Sequence, residues 1–163
     1  MGNHYSLQRN AAPWLFLSAG ILLLDQICKA LANNFLIYGK PLKLLPIFNL
    51  TLTYNRGAAF GFLNIPSLWP GPFFTCLATV AITLLTLWLW QLARTDYLKV
   101  IAISLVIGGA AGNLTDRLFR NHVVDFFDLH WQHWHYPVFN TADIAICIGV
   151  LLLIIALWRS KEL

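Results

Sequence analysis

The chain has 163 residues, 58 % of them hydrophobic and 11 % charged, with a formal net charge of +4. A soluble domain carries roughly 25 % charged residues, so this deficit points to lipid as the solvent rather than to a large water-shielded core. The eleven Lys and Arg are scattered singly, which sets nucleic-acid binding aside and suits the flanks of membrane segments.

The first apolar segment runs from about Ala11 to Ala32. It ends in LDQICKA, with no small-residue cleavage site, so it is expected to stay as an anchor rather than be removed. The opening MGNHYS matches a myristoylation pattern, but six residues match by chance and a spanning chain needs no acyl anchor. Asp25 and Lys29 stand i,i+4 at the end of this segment, the spacing of an ion pair closing the helix. A long connection, about 33–72, follows. Within it FNLTLTYN alternates Phe48, Leu50, Leu52 and Tyr54 with Asn49, Thr51, Thr53 and Asn55, which predicts a half-buried strand bounded by Pro46 and a turn at Gly57. One strand is not stable alone, so a small sheet resting on the membrane is expected.

The second apolar segment covers about 73–93 and the third about 98–119. In the third, GGAAG presents a small-xxx-small surface that lets another helix approach closely. Asn113, Asp116 and Arg117 then lie at i, i+3 and i+4, on one face; they can point into the bundle, or Asp116 and Arg117 can simply neutralise each other. The second long connection, about 120–138, holds HVVDFF and the run HWQHWHY. Its His130, His133 and His135 lack HExxH spacing, and with Trp131, Trp134 and Trp69 they suit an interfacial belt. The fourth segment, about 139–158, opens with FNTAD. Asn140 can cap that helix with Asp143 as its N3 residue. Cys28, Cys76 and Cys147 have no metal spacing and read as buried thiols.

Segment lengths sharpen the picture. The uncharged stretches 10–24, 100–115 and 144–158 cover roughly 22–24 Å each, against a hydrocarbon slab of about 30 Å. Some charge must therefore sit near the apolar boundary; Arg9, Lys99, Arg159 and Lys161 can snorkel to the headgroups, and aspartate is too short to. Because the segments alternate direction, Asp25, Lys29, Asn113, Asp116, Arg117, Asn140 and Asp143 gather at one membrane face. Five cations on the terminal side against six on the other do not choose the orientation. An all-α membrane protein of four spanning helices, with a small β-sheet and loops on one face and a single domain over 1–163, is expected.

Asp125, set among Val123, Val124, Phe126 and Phe127, can approach Asp143 across the hairpin of the third and fourth segments. Two close carboxylates cannot both ionise easily, so one keeps a proton while the other serves as base. Aspartyl proteases use that arrangement: the base draws a proton from water and the acid hydrogen-bonds the scissile carbonyl, with no covalent intermediate and no metal or cofactor required. The serines lie in no GxSxG context. A proton-coupled transporter is the rival, although no polar ladder continues through the helices; a scaffold protein using these residues only for packing is another.

LDQICKA (24–30), TYNRGAAFGF (53–62), GGAAGNLTDR (108–117), HVVDFF (122–127) and FNTADIAI (139–146), in this order and spacing, resemble lipoprotein signal peptidase, the signal peptidase II family of bacteria. The resemblance implies a membrane-embedded aspartyl endopeptidase whose sheet rests on the outer leaflet. Its catalytic dyad would fall on Asp125 and Asp143. Asn55, Asn113, Arg117 and Asn140 would line the pocket for substrate or for globomycin-type inhibitors, with Asp25, Lys29, Gly57, Asp116 and Ala142 in support. The substrates implied are prolipoproteins, cut just before a cysteine that carries diacylglycerol. The implied setting is the bacterial cytoplasmic membrane, with termini cytoplasmic and the active site facing outward; a monomer among membrane lipids is expected.

Overall fold

The computed structural model describes residues 10–57 and 70–159. A short 3-10 turn, Ala12–Trp14, leads into α1 (Leu15–Phe35); β1 (Leu42–Leu45), β2 (Phe48–Asn55), α2 (Pro70–Gln91), α3 (Tyr97–Arg120), β3 (Val123–Trp131), β4 (Trp134–His135) and α4 (Thr141–Arg159) follow. All four helices are long and apolar enough to cross a membrane. Trp69, residues 58–62 of the TYNRGAAFGF stretch, Arg9 and Lys161 lie outside the described residues.

α3 is the hub, touching α1, α2 and α4. Its middle is built of small residues because backbones approach it closely. A Cβ on Gly109 would stand 2.5 Å from the Ala142 carbonyl oxygen of α4, and one on Gly108 would stand 2.7 Å from the Ser18 carbonyl oxygen of α1. One on Gly112 would run into the Asp25 carboxylate. This is the close helix contact expected from GGAAG.

The strands form one antiparallel sheet in the order β1-β2-β3-β4. β2 and β3 pair so that Thr53 faces Asp125 and Asn49 faces Asp128. The sheet is fastened to α1 by a cluster of Ala32, Leu52, Val124 and Phe126, with Cys28 and Leu36 against it. The simple alternation read for β2 is broken by a register shift between Leu50 and Thr53. As a result the polar Asn49 and Thr51 are buried along with Leu52, while Tyr54 is exposed. Asn49 and Thr51 are covered because Asp128 stands opposite them, accepting hydrogen bonds at 3.3 and 2.8 Å.

Two further expectations are corrected. Asp25 and Lys29 do not end the first helix, which continues to Phe35; its last turns pack on the sheet, so the charged pair is enclosed in mid-helix. The thiols of Cys76 and Cys147 are exposed on their helices and that of Cys28 is half-buried. A lipid-facing helix surface accepts an apolar thiol as readily as a protein core does.

Lys29 is fully buried and all three of its ammonium protons have acceptors: Asp25 at 2.8 Å, Asp116 at 2.9 Å and the Asn113 side-chain oxygen at 2.9 Å. Each acid has a second task. The other Asp25 oxygen accepts from the Thr141 hydroxyl at 2.6 Å and the Ala142 N–H at 2.9 Å. Asp116 accepts from the Val124 N–H at 3.1 Å and pairs with Arg120. So the expected Asp25–Lys29 pair is present, whereas Asp116 takes Lys29 and Arg120 as its cations and not Arg117. Deleting one member of such a cluster leaves bare charge in a low-dielectric interior. Lys29→Met is expected to lower unfolding stability in detergent by about 3–5 kcal/mol, read as a large drop in Tm; a variant as stable as its parent would remove the cluster from this role.

Candidate active site

At the N-terminus of α4 the backbone and side chains close a capping box. The Asn140 side-chain oxygen accepts from the Asp143 N–H at 3.0 Å, and an Asp143 carboxylate oxygen accepts from the Asn140 N–H at 3.1 Å. The cap that FNTAD predicts is therefore formed. It also leaves the Asn140 side-chain amide free to reach β3, where it donates to Asp125 at 2.6 Å. Asn140 is fully buried and touches both aspartates: Asp143 through its backbone, Asp125 through its side chain. Phe139, just before the cap, pairs with Phe127 of β3 across a backbone bridge, which holds the two segments side by side.

Asn113 of α3 completes the arrangement. Its amide donates to Asp143 at 2.8 Å, and its oxygen accepts from Lys29 at 2.9 Å and from Asn140 at 3.1 Å. Asp125 lies on β3, nearly buried at 2 % exposure. Burial raises its carboxyl, and the neighbouring Asp143 charge raises it further; hydrogen bonds from Asn140 and Asn55 and the positive charge of Lys29 pull the other way, and the outcome is about 7. One carboxyl of the pair therefore holds a proton near neutrality while the other accepts two N–H groups at the positive end of a helix. That is the division of labour acid–base chemistry needs.

Arg117 forms no ion pair with Asp116 of the kind that Lys29 and Arg120 form, although its charge is felt by Asp143, Asp125 and Asp116. Its guanidinium lies 5.5 Å from the centre of the Phe74 ring of α2 and lines a polar cavity of about 290 Å³ with Asn55, Arg56, Thr75 and His122. Asn55 sits at the rim of that cavity, its side-chain oxygen bound to the Gly57 N–H at 2.9 Å, and Gly57 adopts φ +112°, open to glycine alone at little cost. Asp25, Lys29, Asp116 and Ala142 lie behind the site in the ion cluster already described. Of the residues singled out in the sequence, Asp125, Asp143, Asn113 and Asn140 thus form one hydrogen-bonded group, Asn55 bonds Asp125 and with Arg117 lines the adjoining cavity beside Gly57, and Asp25, Lys29, Asp116 and Ala142 lie behind.

Sequence reasoning missed Asp128. Buried on β3, it accepts from Asn49, Thr51 and His135, the last at 2.7 Å. Burial pushes its carboxyl up, but the hydrogen bonds from His135, Thr51 and Asn49 outweigh it and hold the group below the usual carboxylate range. The hint was the polar side of β2, which needed a partner. His135 is thereby occupied with Asp128, and His130 stacks on it at 5.2 Å.

A family model described as signal peptidase (SPase) II matches residues 17–159. The lipoprotein signal peptidase of Coxiella burnetii strain RSA 493 is 48 % identical over 147 residues, 90 % of each chain. That of Histophilus somni strain 129Pt is 42 % identical, covering 96 % of this chain and 95 % of its own. That of Pseudomonas aeruginosa strain UCBPP-PA14 is 41 % identical, covering 92 % and 90 %. Two solved structures, each described as a bacterial membrane enzyme, superpose with TM-scores of 0.79 and 0.76 at 30 % and 31 % identity. They cover 91 % and 89 % of this chain and 89 % and 92 % of their own.

Titrating the carboxyl bands by infrared difference spectroscopy is expected to show one group ionising near pH 7, assignable to Asp125 because Asp125→Asn abolishes it. Asp143→Asn removes a negative neighbour and so is expected to move that transition to lower pH. A transition unmoved by Asp143→Asn would mean that the two acids do not sense each other.

Proposed function

The chain belongs to the signal peptidase II family of membrane aspartic peptidases, and from that premise we propose that Asp125 and Asp143 are its catalytic dyad. The observation that carries this reading is Asn140, which binds Asp125 at 2.6 Å and Asp143 at 3.1 Å and so ties both acids to one rigid residue. Asp143, as carboxylate, takes a proton from a water molecule lying between the acids. The water oxygen bonds to the carbonyl carbon of the scissile peptide while protonated Asp125 gives its hydrogen to the carbonyl oxygen. The tetrahedral diol then collapses: one diol hydroxyl returns its proton to Asp125, the C–N bond breaks, and the proton held by Asp143 leaves with the amine.

The substrate is a prolipoprotein, cut immediately before a cysteine whose sulfur carries diacylglycerol. Acyl chains and signal helix hold the scissile bond at the bilayer surface, and a dyad at the helix ends lies at that depth. Arg117 and Asn55, on the polar cavity, hydrogen-bond the substrate backbone, where a poorly hydrated site strengthens each bond. A cyclic peptide inhibitor of the globomycin type would occupy the same space. The single domain works as a monomer, with the sheet and active site on the outer side of the cytoplasmic membrane and both termini inside.

Purified protein is expected to cleave a synthetic lipopeptide only when its cysteine carries diacylglycerol, and equally well with a chelator present. Asp125→Asn and Asp143→Asn should each lower kcat/KM by roughly a thousandfold or more without loss of folding or insertion. Because Asp125 must carry its proton, activity should fall tenfold per pH unit above about 7. Near-normal cleavage by either asparagine variant would overturn the dyad.

A further inference from the structure

An apolar cleft of about 240 Å³ opens beside the proposed dyad, lined by Leu129, Tyr136, Phe139, Ile144 and Cys147, with Asp143 as its one charged wall. It shares no lining residue with the polar cavity of Asn55 and Arg117. Two different chemistries therefore meet at the two carboxylates: polar groups from Asn55 and Arg117, and hydrocarbon from the edge of β3 and the face of α4. The cleft borders the exposed face of α4. Ile144 is 37 % exposed, and below it on the same face of α4 stand Ile148, Leu151 and Ile155, all exposed apolar side chains in a helix that spans the bilayer. These residues form an apolar strip that continues from the cleft into the membrane.

Resting on the dyad assignment above, we propose that this cleft is the acyl subsite, holding the first part of one fatty chain of the substrate's diacylglyceryl group. The lipid hangs from the residue directly after the scissile bond, so its chains start only a thioether and a glycerol unit beyond that cysteine and are best received by a cavity that itself reaches a catalytic acid. A second apolar recess at Phe35, Ile37, Pro41 and Leu42 has neither acid in its wall. Size agrees with a partial chain. A cavity of about 150 Å³ encloses a six-carbon ring, so this one takes about ten carbons, and the remainder lies along Ile148 and Leu151 in contact with bilayer lipid. Cys147, one helical turn beyond Asp143, lines the cleft where it meets the exposed face of α4, so added bulk there would narrow the path.

The test compares kcat/KM for lipopeptides identical except for hexanoyl or palmitoyl chains on the cysteine. The wild-type enzyme is expected to prefer palmitoyl, and Cys147→Trp is expected to shrink that preference roughly tenfold, since a few buried methylenes are worth about that much. An unchanged preference in the variant, or none in the wild type, overturns the subsite. Photolabelling of unaltered enzyme guards against a variant that fails to fold: an uncleavable lipopeptide with a diazirine on its acyl chain should mark Leu129, Tyr136, Ile144 or Cys147. Marking at 35–42 instead, or cleft labelling by diazirine-bearing phospholipid that the lipopeptide does not displace, overturns the proposal. If the wild-type enzyme cleaved neither lipopeptide, the dyad reading itself would fall, an outcome distinct from lost chain-length preference.

Discussion

A single buried ammonium group organises the active end of this molecule. Lys29 binds Asp25 of its own helix and Asp116 of α3, and each acid passes the constraint on to a backbone N–H. Asp25 holds the N–H of Ala142, and Asp116 that of Val124. The residue after Ala142 is Asp143, and the residue after Val124 is Asp125. Both members of the proposed dyad are thus one peptide unit from a group pinned by the same ion cluster. The backbones beside the two aspartates are held by the ion cluster, while Asn113 and Asn140 bind their carboxylates directly.

Burying charge in a membrane protein is costly, and the cluster survives because nothing in it is left unsatisfied. Lys29 has three protons and three acceptors. Gln26 adds donors to Asp25 and Asp116 at 3.2 and 3.3 Å and accepts from Arg120 at 3.0 Å. Glycine at 112 makes the geometry possible, since a side chain there would occupy the space of the Asp25 carboxylate. α2 is the contrast. Its Thr75, Thr79 and Thr83 hydroxyls bond carbonyls of the preceding turn in their own helix, so these groups are settled locally, and among the described residues α2 supplies the wall facing Arg117.

Much of this was legible in the sequence because the signals were local. Apolar length marked four spans, the i,i+4 spacing marked Asp25–Lys29, and FNTAD marked a capped helix start. What was not legible depended on which distant group arrives. The choice between Arg117 and Lys29 as partner of Asp116 is decided by the close approach of α1 to α3, which no spacing within α3 reveals. The length of α1 was misjudged for the same reason: a charged pair looks like a helix end until its partners are known to come from other helices. Asp128 was invisible because its partners Asn49 and Thr51 are set opposite it by strand register, and a bulge alters which side of β2 is covered.

The placing of Asn113 explains how a cation-centred cluster can stand so close to an acid pair without disabling it. A lysine in direct contact with Asp143 or Asp125 would favour the charged form of both acids, and a doubly ionised pair has no proton to give the carbonyl oxygen. Asn113 stands between, accepting a hydrogen bond from Lys29 on its oxygen and donating its amide to Asp143. A neutral amide transmits position through two hydrogen bonds while keeping the full charge one residue away. Asn140 does the same toward Asp125, which retains enough burial and enough repulsion from Asp143 to keep its proton up to about pH 7. Toward Lys29, then, rigidity is supplied by ions and contact with the proposed dyad by amides, and that division rests on these two asparagines.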